Sequence, residues 1–332
     1  MKKIQFAKPS VKLSNKEFDE IKRIISSGWY CEGRYVEQVE DYFKTTYGVK
    51  YAISCSSATQ GLVIALKSIG MEEHSYSRNN LVALPSFTWP STLYAISCNQ
   101  MRPKWLDINI QSWDLSNTVI PKYVIKNSVI SDKIEAIISV DIFGNRSYVK
   151  ADVPVIYDAA HGFGLKDLGK RGLAEVVSFS FTKPVTGMQG GIILTDDDML
   201  AEYATEYRRL SAKMCEINAL ILMNEIKRRD EKLFERLRLI ELYRYYLDIS
   251  YTEQVIKEDS NYSTYCILLD PDKRDRVAQK FMENNIEVKI YYKPLVSELP
   301  NTNYIYSRII SLPIYSEIED EIPRICKIIN EA

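Results

Sequence analysis

VPVIYDAAHGFG at 153–164 and VVSFSFTKPVTGMQGG at 176–191 are the two stretches that decide how this chain reads. Each opens as an apolar run of strand length and closes on small residues and glycine, which mark a turn. Each also leaves one charged residue at the strand's end: Asp158 in the first and Lys183 in the second. Burying an acid at a strand tip is costly unless something pairs with it. Two readings of Asp158 are therefore open: it caps the turn that follows, or it meets a buried cation such as a protonated pyridine nitrogen. Lys183 is either a solvated surface lysine or a desolvated amine whose pKa falls until it can attack a carbonyl.

The alternation of strand and helix extends outward from these stretches. Upstream, KYAISC (50–55) reads as a strand, and SSATQGLVIALKSIG (56–70) as a small-residue turn feeding an amphipathic helix ended by Gly70. LVALPSF (81–87) reads as a strand and WPSTLYAIS (89–97) as a helix with Pro90 near its start. PKWLDI (103–108) and KIEAIISVDIFG (133–144) read as strands, and GGIILTD (190–196) pairs with VVSFSFT. Nearer the N-terminus, SNKE at 14–17 signals a helix start capped by Ser14 or Asn15. GWYCEG (28–33) is a turn, and Tyr35, Val36, Val39, Tyr42 and Phe43 recur at helical spacing. Strands alternating with helices predict an α/β fold with a mainly parallel sheet covered on both faces. From about 195 to 248 the pattern is helical and charged. Beyond it, YCILLD (265–270), EVKIYY (287–292) and SRIISLP (307–313) read as strands, with helices at 272–284 and 317–330. This divides the chain into a large domain over 1–235, with an N-terminal arm, and a smaller C-terminal α+β domain over 236–332.

Composition narrows the function. The 332 residues are 46% apolar, and 43 Lys and Arg stand against 44 Asp and Glu, a net charge of −1. That balance gives no footprint for nucleic acid or an anionic membrane. The six cysteines are scattered with no C-x-x-C pair, the pattern of reduced thiols in the cytoplasm. MKKIQFAKPS has no apolar run behind its lysines, and ALILM at 219–223 is too short to span a membrane. With only His74 and His161 in the chain, a histidine-ligated metal site has poor support. No G-x-G-x-x-G follows the first strand, which weakens a dinucleotide site.

In open α/β sheets ligands bind beyond the carboxyl ends of the strands. Ser56 to Thr59, Trp89, Asp158 and Lys183 all fall there on this reading. SSAT opens a helix, so its backbone N–H groups are a ready seat for phosphate, or an ordinary N-cap. Trp89 can stack on a planar ligand or pack in the core. His161, three residues past Asp158, is a partner for a ring hydroxyl or a structural histidine.

Taken in order, SSATQGLVIAL, PSFTWPSTLYAI, DAAHGFG and SFSFTKPVTGMQGG resemble the DegT/DnrJ/StrS family of sugar aminotransferases. GWYCEGRYVEQVEDYF, MCEINALIL (214–222) and SRIISLPIY (307–315) extend the resemblance over nearly the whole chain. It implies the large domain of a type I transferase dependent on pyridoxal 5'-phosphate. Lys183 would hold the cofactor as a Schiff base and shuttle the proton, and Asp158 would keep the pyridine nitrogen protonated. Ser57, Ala58, Thr59 and Ser178 would hold the phosphate, Trp89 would stack on the ring, and His161 would meet its hydroxyl edge. Trp29, Tyr30 and Tyr291 would contact substrate.

The implied reaction moves an amino group from glutamate to a nucleotide-linked 4-keto-6-deoxyhexose, preferably dTDP-linked and at C4. It would serve polysaccharide or O-antigen (lipopolysaccharide) synthesis, in a homodimer with its site at the subunit interface. Transfer at C3, a sugar dehydratase and a non-enzymatic cofactor-binding regulator are the alternatives. The dehydratase branch carries histidine at the cofactor lysine, where this chain has Lys183. Other departures lie around the substrate mouth: Ala58 for glycine, Gln189 for glutamate and Asp141 for histidine. A short LSAK follows Arg209 where relatives have a longer loop, with Ser211 near their asparagine, and the usual histidine is missing after YYKPL (291–295).

Overall fold

The computed structural model describes residues 3–69, 80–116, 118–120, 122–126, 129–256 and 259–332. Gly70 and His74 lie outside the described residues.

Helix α1 (Asn15–Ser27) begins at a capping box in which the Ser14 hydroxyl and the Glu17 carboxylate bond each other's backbone N–H groups. Helix α2 (Arg34–Tyr47) buries Val36, Val39 and Phe43, and Gly48 ends it in the left-handed conformation. Then come β1 (Tyr51–Cys55), α3 (Ala58–Ile69), β2 (Leu81–Pro85), α4 (Pro90–Cys98), β3 (Arg102–Leu106), β4 (Val119–Ile120), β5 (Tyr123–Lys126), β6 (Val129–Val140), β7 (Lys150–Ala151), β8 (Val155–Ala159), β9 (Ala174–Ser178) and β10 (Gly191–Thr195). The main sheet runs in the order β1-β10-β9-β8-β6-β2-β3, with β5 paired to β6. Neighbours from β9 to β3 are parallel, whereas β10 runs antiparallel to both β1 and β9.

Both faces of this sheet are covered, as an apolar parallel sheet requires. Ile193 and Val176 point into a core shared with α3 and α4, through Leu62, Ala65 and Ile96. Ile192, Leu194 and Val177 point the other way, against Val39 and Phe43 of α2 and Leu222. The period-2 alternation of β9 and β10 thus serves two apolar cores instead of one core and water.

Helices α5 (Asp198–Ser211), α6 (Glu216–Ile226) and α7 (Arg229–Tyr246) follow. The chain then forms a three-stranded antiparallel sheet of β11 (Thr252–Glu253), β12 (Tyr265–Leu268) and β13 (Ile309–Leu312), with α8 (Pro271–Glu283), α9 (Pro300–Tyr306) and α10 (Ile322–Asn330). Its core joins Leu239, Ile240 and Tyr243 of α7 to Ile310, Ile325 and Ile329. A further cluster, containing Phe87, Phe143, Cys266, Tyr292 and Ile309, packs the two sheets' surroundings together.

Three expectations are corrected. EVKIYY is not a strand: Lys289, bridged to Ser311, makes its one isolated bridge, and Ile286 just before it is bridged to Ile4. VVSFSFT leaves the sheet at Ser178, and the rest of it turns toward Lys183. The last helix is preceded by a 3₁₀ turn over Ser316–Glu321 and becomes α-helical at Ile322, next to Pro323 at its first turn. Among the described residues, no helix is long and apolar enough to cross a membrane.

Candidate active site

A cavity of about 360 Å³ opens beyond the carboxyl ends of the parallel strands, a size suited to a small cofactor and part of a substrate. Ser57, Ala58, Thr59, Trp89, Asp158, His161, Ser178, Lys183 and Tyr291 all line it. Trp29 and Tyr30 do not. They stand exposed, at 65% and 53%, on the segment between α1 and α2.

Asp158, the penultimate residue of β8, is 4% exposed. Thr92 of α4 donates to Oδ2 at 2.8 Å, and the Ala160 N–H to Oδ1 at 3.2 Å. Thr92 is itself within 3.0 Å of the Thr88 hydroxyl, so the carboxylate ends a chain of hydroxyls. Burial pushes the Asp158 carboxyl up, while the Thr92 bond, the Ala160 N–H and the charge of Lys183 pull it back.

Lys183 lies in the turn between β9 and β10, with its N–H on the Ser180 carbonyl at 3.0 Å. The residue is half-buried on the cavity wall. Burial lowers its amine from 10.5 to about 8, against the opposing pull of Asp158. His161 carries the same signature: burial first, then the charges of Lys183 and Arg236, hold it well below its ordinary value and so neutral. Its Nε2 is 3.5 Å from the Tyr292 hydroxyl, and its buried Nδ1 has no partner.

At the other end of the cavity, the N-terminus of α3 meets the start of β10. The Ser57 hydroxyl accepts from Gln60 N at 3.2 Å and its carbonyl from Gly61 N at 3.0 Å, so the turn is a true N-cap. The Ser178 hydroxyl accepts from Ser180 N at 3.3 Å. Gly191 is required by proximity: a Cβ there would stand 2.4 Å from Ala58 N and 2.5 Å from Ser57 C. Its neighbour Gly190 has φ +148°, which only glycine adopts without strain. The linker after α5 closes this corner, with Ala212 O accepting from Ser56 N at 2.7 Å.

Trp89 is not a core residue. It is 55% exposed at the cavity wall, edge-on to Tyr291 and Tyr292 at ring separations of 6.2 and 6.0 Å.

Around the site stand side chains whose bonding the sequence does not announce. Asp141 is buried and clasped by Arg171, whose two terminal nitrogens reach it at 2.9 and 2.6 Å. Arg171 also pairs with buried Glu175 and lies 4.2 Å from the centre of the Tyr157 ring. Arg236 lines the cavity with its guanidinium bound to the carbonyls of Tyr262, Ser263 and Ile314. Burial lowers its pKa to about 10, opposed by Glu235. Thr92 lies two residues past Pro90 in the first turn of α4, the sequence position that signals a hydroxyl near a strand end.

Comparison with known proteins matches this arrangement. Protein Rv3402c of Mycobacterium tuberculosis (strain ATCC 25618 / H37Rv) is 23% identical, over 99% of this chain and 90% of that one. The structure of DesI in the presence of its TDP-sugar product superposes with a TM-score of 0.84 at 20% identity, over 99% of this chain and 92% of that one. NtdA of Bacillus subtilis, with bound PMP, gives a TM-score of 0.80 at 22% identity, over 99% and 87%. The model of the DegT/DnrJ/EryC1/StrS aminotransferase family matches residues 11–330, and this chain belongs to that pyridoxal-phosphate-dependent enzyme family.

Proposed function

We propose that the protein transfers an amino group from glutamate to a nucleotide-linked keto-sugar, with Lys183 as its catalytic residue and Asp158 as the partner of the cofactor's ring nitrogen. The observation that carries the reading is that one cavity is lined by a buried carboxylate, Asp158, by an amine whose pKa desolvation lowers and Asp158 raises, Lys183, and by the N-terminus of α3.

The residues present fit pyridoxal phosphate. The buried Asp158 carboxylate suits a protonated ring nitrogen, because a cation there offsets its desolvation. The orphaned Nδ1 of His161 has hydrogen-bonding capacity to spare toward a ring substituent. The bare backbone at Gly191 lets β10 approach the Ser57–Ala58 backbone at the helix N-terminus without a side chain between them. When bound, the cofactor supplies an aldehyde carbon and a ring that accepts an electron pair.

The chain's own residues do the rest. Ser57, Ala58, Thr59 and Ser178 hold the phosphate with hydroxyls and the α3 dipole. Asp158, fixed by Thr92 and Ala160, keeps the positive charge on the ring nitrogen. Trp89 covers one face of the cavity, and with Tyr291 and Tyr292 it excludes water. The Lys183 amine would anchor the cofactor and would be the group that moves a proton at the reacting carbon of the substrate, a task suited to an amine near pKa 8.

DesI, structurally similar, was solved with a TDP-sugar product, which supports a dTDP-linked sugar as substrate; its identity as a 4-keto-6-deoxyhexose aminated at C4, for O-antigen or another surface polysaccharide, rests on the sequence resemblance. Free thiols at all six cysteines fit a cytoplasmic enzyme. Trp29 and Tyr30 are exposed and do not line this cavity, so the substrate contact that the resemblance implies for them would be made across the interface of a homodimer. The large domain would end at 235 and the small one begin at 236, inside α7. To test the function, the protein loaded with pyridoxal phosphate is given glutamate and dTDP-4-keto-6-deoxyglucose. The expected product is a dTDP-amino sugar with nitrogen on C4, read by mass and NMR. A deoxygenated sugar without nitrogen, or no turnover with a panel of keto-sugars, would sink the reading.

A further inference from the structure

Two of the six cysteines meet where the segment between α1 and α2 crosses the linker between α5 and α6. Cys31 and Cys215 are partners in an isolated antiparallel bridge. The bond that frames them runs from Glu216 N to the Tyr30 carbonyl at 2.8 Å, one residue to the side on each strand. That pattern marks a non-hydrogen-bonded pair, whose Cα atoms approach to about 4.5 Å with their side chains closest. Disulfides span Cα separations of roughly 4.4–6.8 Å, so such a pair can close with little backbone movement.

The surroundings hold the two strands in register. Glu216, next to Cys215, accepts from the N–H groups of Gly33, Tyr35 and Val36 at 3.0, 3.0 and 2.9 Å. Glu32, next to Cys31, pairs with Arg208 at 3.3 Å and with Lys213 at 3.4 Å. Both thiols are partly exposed, whereas Cys55, Cys266 and Cys326 are buried, and Cys98 is exposed on α4.

We infer that Cys31 and Cys215 form a redox modification site, a dithiol that a small-molecule disulfide of the glutathione class converts into a cross-strand disulfide. One thiolate attacks the oxidant's S–S bond and expels one half of it as a thiolate. The second thiolate then attacks the mixed disulfide and expels the other half. The two protein thiols lose two protons and two electrons, and the oxidant becomes two thiols. The new bond fastens the Trp29–Tyr30 segment to the linker whose Ala212 carbonyl holds Ser56 N. Burial and the neighbouring Cys215 raise the Cys31 thiol, against Lys213, so closure quickens as pH rises above neutrality. The inference does not depend on the cofactor or on the proposed reaction.

The test uses the intact protein incubated with oxidised glutathione, alkylated and digested without reductant. The expected product is a cross-linked peptide pair containing residues 31 and 215, two hydrogens lighter than the sum of its parts and released by dithiothreitol. Cys98→Ser should keep the link. Cys31→Ser and Cys215→Ser should each lose it and leave glutathione on the remaining partner. Hydrogen exchange across residues 28–33 should slow in the oxidised protein. Recovery of Cys31 and Cys215 each alkylated, or each separately joined to glutathione, would overturn the inference, as would a link confined to Cys98 between two chains.

Discussion

At the residue scale, the site works by desolvation. Lys183 has its amine pulled down to about 8 because protein replaces water around it. The sign follows from linkage. In the unfolded chain this lysine titrates near 10.5, so between about 8 and 10.5 the unfolded state binds more protons. The protein free of cofactor should therefore gain stability from Lys183 as pH rises through that window. Its uptake of pyridoxal phosphate, followed by visible absorbance, should quicken with a midpoint near pH 8. Lys183→Ala should bind the cofactor without the covalent chromophore, and unchanged absorbance would refute its role. Asp158 and Lys183 were legible from sequence because a charge at the end of an apolar strand is a visible contradiction. Arg171 was not: the two carboxylates that it satisfies are Asp141, thirty positions upstream, and Glu175, and no local pattern announces either bond.

At the element scale, the architecture depends on how strand ends are terminated. The residues 191 and 57 approach so closely that a methyl at 191 has nowhere to go. Gly191→Ala should push α3 from β10, costing about 1–3 kcal/mol in urea unfolding and weakening phosphate binding more than it perturbs the rest of the sheet. The helices and parallel strands were readable because periods of 3.6 and 2 persist over whole elements. EVKIYY misled because its alternation of apolar and polar residues is that of a strand. Its backbone instead turns to bring Tyr291 and Tyr292 to Trp89, a tertiary demand that local propensity does not encode.

At the scale of the whole molecule, a buried ionic cluster ties the floor of the cavity to the sheet. Arg171 joins Asp141 on the cavity wall to Glu175 of β9, with both carboxylates fully buried. Arg171→Leu would strand two negative charges and should cost about 3–5 kcal/mol, read as a lower midpoint in urea. The order of the strands also sets an order of assembly. Among the described residues β1 borders only β10 in the sheet, and β10 is the last strand of that sheet to be synthesised. A nascent chain therefore carries the Ser57–Thr59 turn early but cannot pack it against Gly191 until residues 191–195 have left the ribosome. A product truncated before them has an open sheet edge and, on the proposed function, half an anion site, so cofactor capture requires synthesis to have passed β10.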